Sequence, residues 1–449
     1  MFRKGCCAQV AAPRIPPDLR MYLAPDSTGL NNSSDFLYCL NNDKIANAIS
    51  YGAFVLSNKP MPLSRFKVID LTRARAGPTS VRQLADWGAD VIRVELPPAL
   101  GTEIMGADRH GYEAQNLHRN KRSLTLNLKK DEGRKIFFDL AREADVVIEN
   151  YRPQVKHRLG IDYEAVRKVN PRIVYGSISG FGQEGPYAGR PGLDQIAQGL
   201  SGLMSVTGEP GKGPMRVGIP ISDLSAGMML AQGILLALLE REASGEGQWV
   251  HTSLLEAQIQ MMDLQVARYL IKGEVPGQAG NNHPTFAPTG VFETGDGLIN
   301  IQSGPKHLWE RLAPAIGAPE LLEHPDYDDA ERRLKNRDAL NEEINRKTRG
   351  KKSEEWIAIL NDAGIPCGPI YTVDQTIADP QVQILGMTPH IDHPVLGEVK
   401  VVGQAVKMSR TPQRMRFATP ELGEHTEEIL KTLGYGAEGI QKLRDSDVV

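Results

Sequence analysis

The segment FKVIDL, residues 66–71, is the first of four short β-branched runs that decide the fold, and three more follow it: ADVIRVE (89–95), DVVIEN (145–150) and RIVYGSIS (172–179). Amphipathic stretches separate these runs. One of them, KDEGRKIFFDLAREA (130–144), begins with acidic residues and then repeats apolar residues at helical spacing. Strands that alternate with helices are typical of βαβ units around a parallel sheet. The pattern therefore predicts an α/β fold from residue 61 to about residue 180.

The composition is that of a globular protein with a sizeable core. The 449 residues have a mass of 49.3 kDa, and 41% of them are hydrophobic while 24% are charged. The formal net charge is only −3, and the basic residues are interspersed with acidic ones. A protein that coats nucleic acid normally shows a basic excess or a basic stripe, so we expect no nucleic-acid partner.

The first sixty residues differ from the rest of the chain. They contain Pro13, Pro16 and Pro17, and no apolar period repeats in them. A secretory signal would need a basic start followed by a clean apolar run of about 7 to 15 residues, and no such run occurs in this segment. We predict an N-terminal extension over residues 1–60 that is disordered or arises from a misassigned start codon, with Met61 as the functional start.

The cysteine content indicates a reducing compartment. No C-x-x-C pair and no ligand-like spacing to histidine occur among the four cysteines, which are Cys6, Cys7, Cys39 and Cys367. We therefore expect no structural metal and a cytoplasmic location. A mitochondrial location would apply only if the source is eukaryotic and the extension is a transit segment.

The longest apolar segment is AGMMLAQGILLALLE, residues 226–240. It is interrupted by Gln232 and is shorter than the roughly 20 residues that a membrane-spanning helix needs. We therefore predict a buried core helix and no membrane partner.

Two further stretches suggest how the chain is organised. Residues 176–227 hold 13 glycines, which indicates either close backbone approaches or a set of surface connections. Residues 300–375 contain charged amphipathic helices and predict a separate small domain.

The turn after the first predicted strand reads TRARAGP (72–78) and lacks the glycines of a dinucleotide-binding fingerprint. This argues against a hydride-transfer enzyme, and a Walker A loop is also missing. No G-x-S-x-G motif follows a strand and no H-E-x-x-H motif occurs, so serine hydrolase and zinc chemistry have no support. Arg73 and Arg75 lie beside a predicted helix start, where they would either hold a phosphate or form part of the solvated surface.

A second basic patch surrounds the predicted strand SLTLNL. Its members are Asn120, Lys121, Arg122, Ser123, Lys129 and Lys130. Such clusters are most often solvated faces, and we favour that interpretation here. The run ENYRP (149–153), with Arg158 close behind it, lies just past the carboxyl end of a predicted strand, which is the side where α/β sheets bind ligands.

Two acidic residues of the glycine-rich region stand out by their context. Asp194 lies in RPGLDQIAQGLSG, and Asp223 lies in GIPISDLSAG directly before the long apolar helix. From its position alone, Asp223 is predicted to be the helix N-cap. A carboxylate there accepts backbone N–H bonds and stays ionised beside the positive helix end.

Ten segments together resemble one enzyme family. They are VIDLTRARAGP (68–78), GADVIRVE (88–95), NKRSLTLNLK (120–129), DVVIENYRP (145–153), SGFGQEGP (179–186), GLDQIAQGLSGLM (192–204), GIPISDLSAG (218–227), GNNHPTFAPTGVF (280–292), GIPCGPI (364–370) and LGEHTEEIL (422–430). In this order over residues 66–449, they are similar to the family III coenzyme A transferases, also called the CaiB/BaiF family. Carnitine, bile-acid and formyl-CoA transferases belong to that family. Each segment alone is weakly specific, but the ordered set identifies the chain as a member.

The resemblance implies a fold as well as an activity. It implies an interlocked homodimer in which a Rossmann-like parallel-sheet large domain accompanies a smaller α+β domain. We expect the first part of the large domain at residues 61–255, a linker at 256–279 and the small domain at 280–385. A return segment at 386–449 would then complete the large domain.

The resemblance also implies an enzyme that moves CoA from an acyl-CoA donor to a carboxylic acid. Its nucleophile maps to Asp223, which would form an anhydride with the acyl group and then a thioester with CoA. Asp194 and Gly280 are candidate supporting residues, the N–H of Gly280 at the oxyanion.

The CoA contacts of the family carry over to nine residues of this chain. They are Arg73, Ala74, Arg75, Ala76, Leu126, Lys129, Asn150, Tyr151 and Arg158. An arginine that formyl-CoA transferase has past the second strand is replaced here by Leu96, so one contact is missing. CoA thioesters are substrates in this family, and the resemblance implies neither a permanently bound cofactor nor a metal.

Two other functions stay open at this point. The α-methylacyl-CoA racemases of the same family use a histidine and an aspartate on the α-carbon, but Leu193 stands where that histidine would precede Asp194. A non-catalytic CoA-binding protein is the other alternative, and the presence of Asp223 within the full motif set argues against it.

The substrates are less well defined than the reaction. The stretch GPMRVGIPISDLSAG (213–227) and the C-terminal region most resemble succinyl-CoA-dependent members that act on dicarboxylates, such as succinyl-CoA:glutarate transferase. Arg216 would pair with a distal carboxylate or lie on the surface as an ordinary arginine. The individual donor and acceptor acids stay open.

Overall fold

The computed structural model of the chain describes residues 60–101 and 108–449. The predicted N-terminal extension therefore lies, apart from Pro60, outside the described residues.

Six parallel strands form the central sheet. They are β1 (Lys67–Asp70), β2 (Asp90–Glu95), β3 (Arg122–Thr125), β4 (Val146–Glu149), β5 (Val174–Ser179) and β6 (Trp249–Ser253). Their order across the sheet is β3-β2-β1-β4-β5-β6, and every neighbouring pair is parallel. This is the strand order of doubly wound dinucleotide-binding folds. The predicted α/β fold with a Rossmann-like parallel sheet is confirmed.

Ten α-helices accompany these strands in the described part of residues 60–272. They are α1 (Ala76–Asp86), α2 (Tyr112–His118), α3 (Asp131–Glu143), α4 (Pro153–Leu159), α5 (Tyr163–Val169), α6 (Asp194–Leu200), α7 (Leu203–Val206), α8 (Ile221–Ser244), α9 (Leu254–Met261) and α10 (Asp263–Lys272). The last two occupy most of residues 256–279, which were predicted as a linker.

Both faces of the sheet are buried. Adjacent residues of each strand point to opposite sides of the sheet, and both sets lie in hydrophobic clusters. Val68 and Ile148 belong to one hydrophobic cluster, whereas their neighbours Ile69 and Val147 belong to a second. Residues of α1 and α8 cover the first face, and residues of α3 and α5 cover part of the second. Burial on both faces explains why the strands read as nearly continuous apolar runs.

The helix predicted from residues 226–240 to lie in the core is α8. It packs against α1, β5 and β6, and Leu230, Ile234 and Leu238 are buried in the first hydrophobic cluster. By length and composition alone α8 could cross a membrane, but half of its most apolar window is buried inside the protein. Leu236 and Leu239, on the same helix, are exposed.

A second, smaller sheet lies later in the chain. Its antiparallel strands, in the order β7-β8-β9, are β7 (Thr289–Glu293), β8 (Leu298–Gln302) and β9 (Cys367–Pro369). Six α-helices accompany these strands. They are α11 (Lys306–Ala315), α12 (Ala330–Lys335), α13 (Arg337–Thr348), α14 (Ser353–Asp362), α15 (Val373–Ala378) and α16 (Pro380–Leu385). Buried apolar residues between Phe292 and Ile365 form a separate hydrophobic cluster.

The last part of the chain returns to the central sheet. It contains the hairpin β10 (His390–His393) and β11 (Gly397–Lys400), and then α17 (Thr426–Thr432) and α18 (Ala437–Asp445). Ile429, Leu430 and Val448 are buried in the second hydrophobic cluster, and Asn127 donates its backbone N–H to the carbonyl of Val448. The end of the chain therefore completes one face of a sheet whose strands come much earlier.

Half of the basic patch around β3 is buried and does not form the solvated face that we favoured from the sequence, whereas Arg122, Lys129 and Lys130 reach the surface. Lys121 and its partner Asp70 are fully buried, with Lys121 Nζ 2.9 Å from Asp70 Oδ2. Asn120 and Ser123 are also fully buried, whereas Lys129 is exposed. Asp70 accepts hydrogen bonds from the backbone N–H and the hydroxyl of Thr72 as well. Lys121 thus supports, through Asp70, the turn that follows β1.

Candidate active site

The candidate site lies where the chain leaves β1 and β4, the two central strands of the sheet. Their connections run to opposite sides of the sheet, and α/β proteins bind ligands in the crevice at such a switch point. The side chain of Asn150 joins the two turns, since it accepts the N–H of Arg73 and donates to the Arg73 carbonyl, each at 2.8 Å. Ala74 then adopts a left-handed φ of 58°. The turn is therefore held in a fixed shape.

A cavity of about 680 Å³ opens above this turn. It is lined by the two turns, by the segment around residues 178–195 and by the start of α8. The predicted site residues among its lining are Arg73, Ala74, Arg75, Ala76, Asn150, Tyr151, Asp194 and Asp223. We call it the Asp223 cavity.

A second cavity, of about 760 Å³, shares Arg73 and Tyr151 with the first. Leu126, Lys129 and Arg158 line it, and so does Leu96. We call it the Lys129 cavity. The structure thus places all nine predicted CoA contacts on two neighbouring cavities, one of which contains Asp223.

A buried ion pair holds the turn after β4, and the sequence reasoning missed it. Glu149 accepts the N–H of Tyr151 at 2.8 Å and binds Lys156 Nζ at 2.9 Å, and both charged side chains are almost fully buried. Lys156 also donates to Ser177 and Gln183. An acid at the end of an apolar strand, with a lysine on the following helix, was the available signal.

Asp223 is not the N-cap of α8, so that prediction is wrong. The helix begins at Ile221 with Pro220 as its cap, and Asp223 lies in its first turn. Two backbone N–H groups in the first turn of α8 are instead bound by Asp194. Its Oδ1 accepts from Ser222 N at 2.9 Å and from Asp223 N at 3.4 Å. A carboxylate from another element therefore takes the place of a local cap.

The other oxygen of Asp194 connects the site to a neighbouring loop. Oδ2 accepts from Gln198 Nε2 at 2.7 Å and lies 3.9 Å from Nη2 of Arg216. Gln198 in turn accepts the N–H of Val217 at 3.0 Å. Asp194 thus links α6, the loop at 216–217 and the start of α8, which gives it a positioning role next to Asp223.

A close contact between two glycines sets the path of the chain into α6. A Cβ atom on Gly180 would lie 2.7 Å from the Cα of Gly192, and one on Gly192 would lie 2.6 Å from the Cα of Gly180. Side chains cannot fit between these two backbones. The glycine-rich region is therefore used here for close approach, which brings the residues before Asp194 against the end of β5.

The electrostatic surroundings of Asp223 suit a nucleophile that works near neutral pH. Burial and, to a smaller extent, the negative charge of Asp194 raise the pKa of Asp223 to about 6, against the opposing effect of Arg75. Arg75 also forms an ion pair with Glu113, another lining residue that the sequence did not single out. Above pH 6 the carboxylate is ionised and weakly solvated, which favours attack on a carbonyl.

Gly280 lies apart from this arrangement. It lines neither the Asp223 cavity nor the Lys129 cavity, and its N–H is donated to the carbonyl of Gly208 at 3.0 Å. Within the described chain, the structure does not bring Gly280 to Asp223, so its predicted oxyanion role gains no support.

The position that carries histidine in racemases is occupied by Leu193, which lines the Asp223 cavity and is 56% exposed. None of the described residues that line this cavity is a histidine. The cavity therefore lacks the imidazole that two-base chemistry at an α-carbon would use.

A group of possible metal ligands lies outside both cavities. His110, His393 and Glu421 place ligand atoms within 4.8 Å of one another. However, Nδ1 of the buried His393 accepts backbone N–H bonds from Val395 and Leu396, so its proton is on Nε2. A metal-bound histidine normally donates from its second nitrogen, and this ring cannot do so. The geometry therefore does not favour a metal here.

Comparisons with known proteins agree with the sequence motifs. The model of the family described as CoA-transferase family III matches residues 63–426. An acyl-CoA transferase from Fusarium pseudograminearum is 34% identical over 97% of both chains. A succinate–glutarate CoA-transferase from Agrobacterium fabrum is 36% identical over 84% of this chain and 97% of its own.

A solved structure gives the same result for the fold. The crystal structure of a CAIB/BAIF family protein from Brucella suis has a TM-score of 0.73 and 32% sequence identity, over 84% of this chain and all of the other. The family that the motifs predicted is confirmed, and the chain belongs to CoA-transferase family III.

Proposed function

We propose that the chain transfers CoA from an acyl-CoA donor to a carboxylic acid through covalent intermediates on Asp223. The observation that supports this most directly is the position of Asp223. It lies in a cavity that adjoins the Lys129 cavity, and its pKa of about 6 leaves the carboxylate ionised at neutral pH.

The two cavities suggest how a CoA thioester would lie. Lys129 and Arg158 would bind the nucleotide phosphates through charge-assisted hydrogen bonds. The pantetheine arm would then pass Arg73 and Tyr151, which line both cavities, and bring the thioester to Asp223. Leu96 supplies apolar surface where an arginine would have supplied another charge.

The first half of the reaction forms an enzyme thioester. A carboxylate oxygen of Asp223 attacks the thioester carbonyl, the C–S bond breaks, and CoA leaves as the thiolate from a mixed anhydride. The thiolate then attacks the Asp223 carbonyl of the anhydride, which releases the donor acid as its carboxylate. Asp223 is left as a CoA thioester.

The second half repeats these steps with the acceptor. The acceptor carboxylate attacks the Asp223 carbonyl and displaces the thiolate, and the thiolate then attacks the acceptor carbonyl. This gives the new acyl-CoA and restores the Asp223 carboxylate. The donor thioester is exchanged for the acceptor thioester, so the reaction needs no ATP.

We propose dicarboxylic acids as the substrate class, with succinyl-CoA as the donor. The Agrobacterium relative is named for succinate and glutarate. The Asp223 cavity also has several arginines in its wall, which suits substrates with a second negative charge.

We also propose that the chain acts as an interlocked homodimer with the domain boundaries expected from the family. The exposed apolar residues of α8, Leu236 and Leu239, supply surface that a second copy would cover. The separate hydrophobic cluster of residues 292–365 supports a distinct small domain.

Trapping with hydroxylamine tests the covalent role of Asp223. Hydroxylamine attacks activated acyl groups, so incubation with succinyl-CoA and hydroxylamine is expected to convert Asp223 to its hydroxamate and to inactivate the enzyme. Peptide mass spectrometry would locate the label. Omission of succinyl-CoA should prevent it, and a label on any carboxylate other than Asp223 would contradict the proposal.

The pH dependence of the reaction should report the ionisation of Asp223. Since only the carboxylate attacks, kcat/KM for the donor is expected to rise with pH through about 6 and then level off. Asp194→Asn removes a negative charge that raises this pKa, so the acid limb should move to lower pH. An acid limb that stays in place in Asp194→Asn would contradict this coupling.

A further inference from the structure

Arg216 is a cation in the wall of the Asp223 cavity that the reaction above does not use. Its side chain is 46% exposed, and its only ion pair among the described residues is the 3.9 Å contact with Asp194. That distance is too long for a hydrogen bond. Oδ2 of Asp194 already accepts from Gln198, and Oδ1 accepts from the start of α8. Asp194 is therefore satisfied without Arg216, whose guanidinium remains available to a ligand.

A second substrate carboxylate that lies beside Asp223 and Asp194 needs a cation next to it, and Arg216 is the arginine of the cavity wall that lies beside Asp194. Asp223 and Asp194 give this region negative charge, and a further anionic group would be repelled by it. A guanidinium can bind a carboxylate through two parallel hydrogen bonds, which offsets the repulsion and also fixes the direction of the chain.

The placement of Arg216 fits a short diacid. Asp223 N contacts one oxygen of the Asp194 carboxylate, and Arg216 Nη2 lies next to the other oxygen. Asp223 and Arg216 are thus both neighbours of Asp194, and both line the same cavity. A four- or five-carbon diacid, whose carboxyl carbons are about 4–5 Å apart when the chain is extended, is short enough to lie within this cavity of about 680 Å³.

We propose that Arg216 binds the distal carboxylate of both the donor acyl group and the acceptor acid, and so determines the preference for dicarboxylic acids. This inference rests on the proposed function, in which Asp223 is the single nucleophile. Donor and acceptor must then place their reacting carbons at the same point in turn. A single arginine in the wall of the same cavity can therefore bind the distal carboxylate of both substrates.

The acceptor test compares glutarate with its monoamide, glutaramate, which has the same shape but a neutral distal end. With succinyl-CoA as donor, Arg216→Met is expected to lower kcat/KM for glutarate about 10- to 150-fold, since hydrogen bonds to charged groups contribute about 1.5–3 kcal/mol. The value for glutaramate should change less than about threefold. In a double-displacement reaction the acceptor kcat/KM does not depend on the donor step, so the effect belongs to the acceptor.

The donor test uses the rate of hydroxylamine labelling at Asp223. Succinyl-CoA and butyryl-CoA have acyl chains of equal length, but only the first has a distal carboxylate. Arg216→Met should slow labelling by succinyl-CoA and leave labelling by butyryl-CoA nearly unchanged.

Arg190→Met is the matched control. Arg190 lines the same cavity, but its guanidinium lies over the ring of Tyr187 at 3.7 Å from the centroid. If Arg216 is the specific contact, Arg190→Met should affect glutarate and glutaramate by the same factor.

Two results would overturn the inference. One is an Arg216→Met enzyme that keeps the wild-type preference for glutarate, and the other is equal loss with glutarate and glutaramate, which would indicate a role through Asp194 alone. A wild-type enzyme that is never labelled at Asp223, but whose preference for glutarate depends on Arg216, would refute the covalent role and leave the carboxylate subsite standing.

Discussion

Replacement of Asp223 by asparagine is expected to lower kcat for CoA transfer at least about 10⁴-fold, the size of effect seen when a catalytic nucleophile is removed. An amide is a poor nucleophile, and it cannot form the anhydride or the thioester on which both halves of the reaction depend. The measurement is steady-state turnover of succinyl-CoA and glutarate, with acyl-CoA products quantified by mass spectrometry. Asp223→Ala should be assayed in parallel, since an asparagine can deamidate to aspartate.

The fold should survive this replacement. The pKa of Asp223 in the folded protein is about 6, above its usual value of 3.8, so the ionised group becomes a cost to stability as pH rises through this range. At pH 8 a neutral asparagine removes that cost, and urea unfolding should show a midpoint equal to or above that of the wild type. A loss of activity that came with a lower midpoint would indicate a structural cause.

A lining carboxylate with another partner provides the control for activity. Glu113→Gln breaks the ion pair with Arg75 in the same cavity, and it should reduce turnover far less than Asp223→Asn. If Glu113→Gln abolished turnover while Asp223→Asn retained it, the nucleophile would be misassigned.

Replacement of Asp86 by alanine is expected to lower the free energy of unfolding by about 3–5 kcal/mol, the usual cost of leaving a buried charge without its partner. Asp86 is fully buried at the end of α1 and binds the equally buried Arg119 at 2.6 Å. It also accepts hydrogen bonds from Asn120 at 2.9 Å and from Gln404 at 2.7 Å. Its loss therefore leaves the buried Arg119 without its counter-ion and removes an acceptor from the amides of Asn120 and Gln404.

Urea denaturation followed by circular dichroism would measure this loss, and Asp328→Ala is the matched control. Asp328 pairs with Arg332 on an exposed stretch, where ion pairs contribute about 0–1 kcal/mol. Asp86→Asn keeps part of the hydrogen bonding and serves if the alanine variant does not fold, with a smaller expected loss. An Asp86→Asn or Asp86→Ala protein as stable as Asp328→Ala would contradict the prediction.

The positions of the strands along the chain were predictable because their residues carry local signals. The β-branched runs mark β1, β2, β4 and β5, and the carboxyl ends of parallel strands meet at one edge of a sheet. Arg73 and Asn150, two predicted CoA contacts that follow β1 and β4, lie at this edge, where a reciprocal pair of hydrogen bonds joins them.

The features that the sequence could not predict depend on partners far along the chain. Lys121 is buried because Asp70, 51 residues earlier, neutralises it. Asp223 is not an N-cap because Asp194 reaches the start of α8 from another helix. Local patterns describe neither relation, since a single sequence does not show which distant residues come together. The expected role of Gly280 came from the family alone, and no contact among the residues that the structure describes supplies it.

The packing of residues 429–448 against the central sheet has a consequence for how the protein is made. The ribosome synthesises β5 roughly 250 residues before it reaches this segment, which at 5–20 residues per second is a delay of about 10–50 s. During that interval the nascent polypeptide exposes apolar surface that only its last-made portion can cover. Efficient production of this protein should therefore depend on chaperones that bind growing chains, and premature termination upstream of Ile429 should yield aggregates rather than a smaller soluble product.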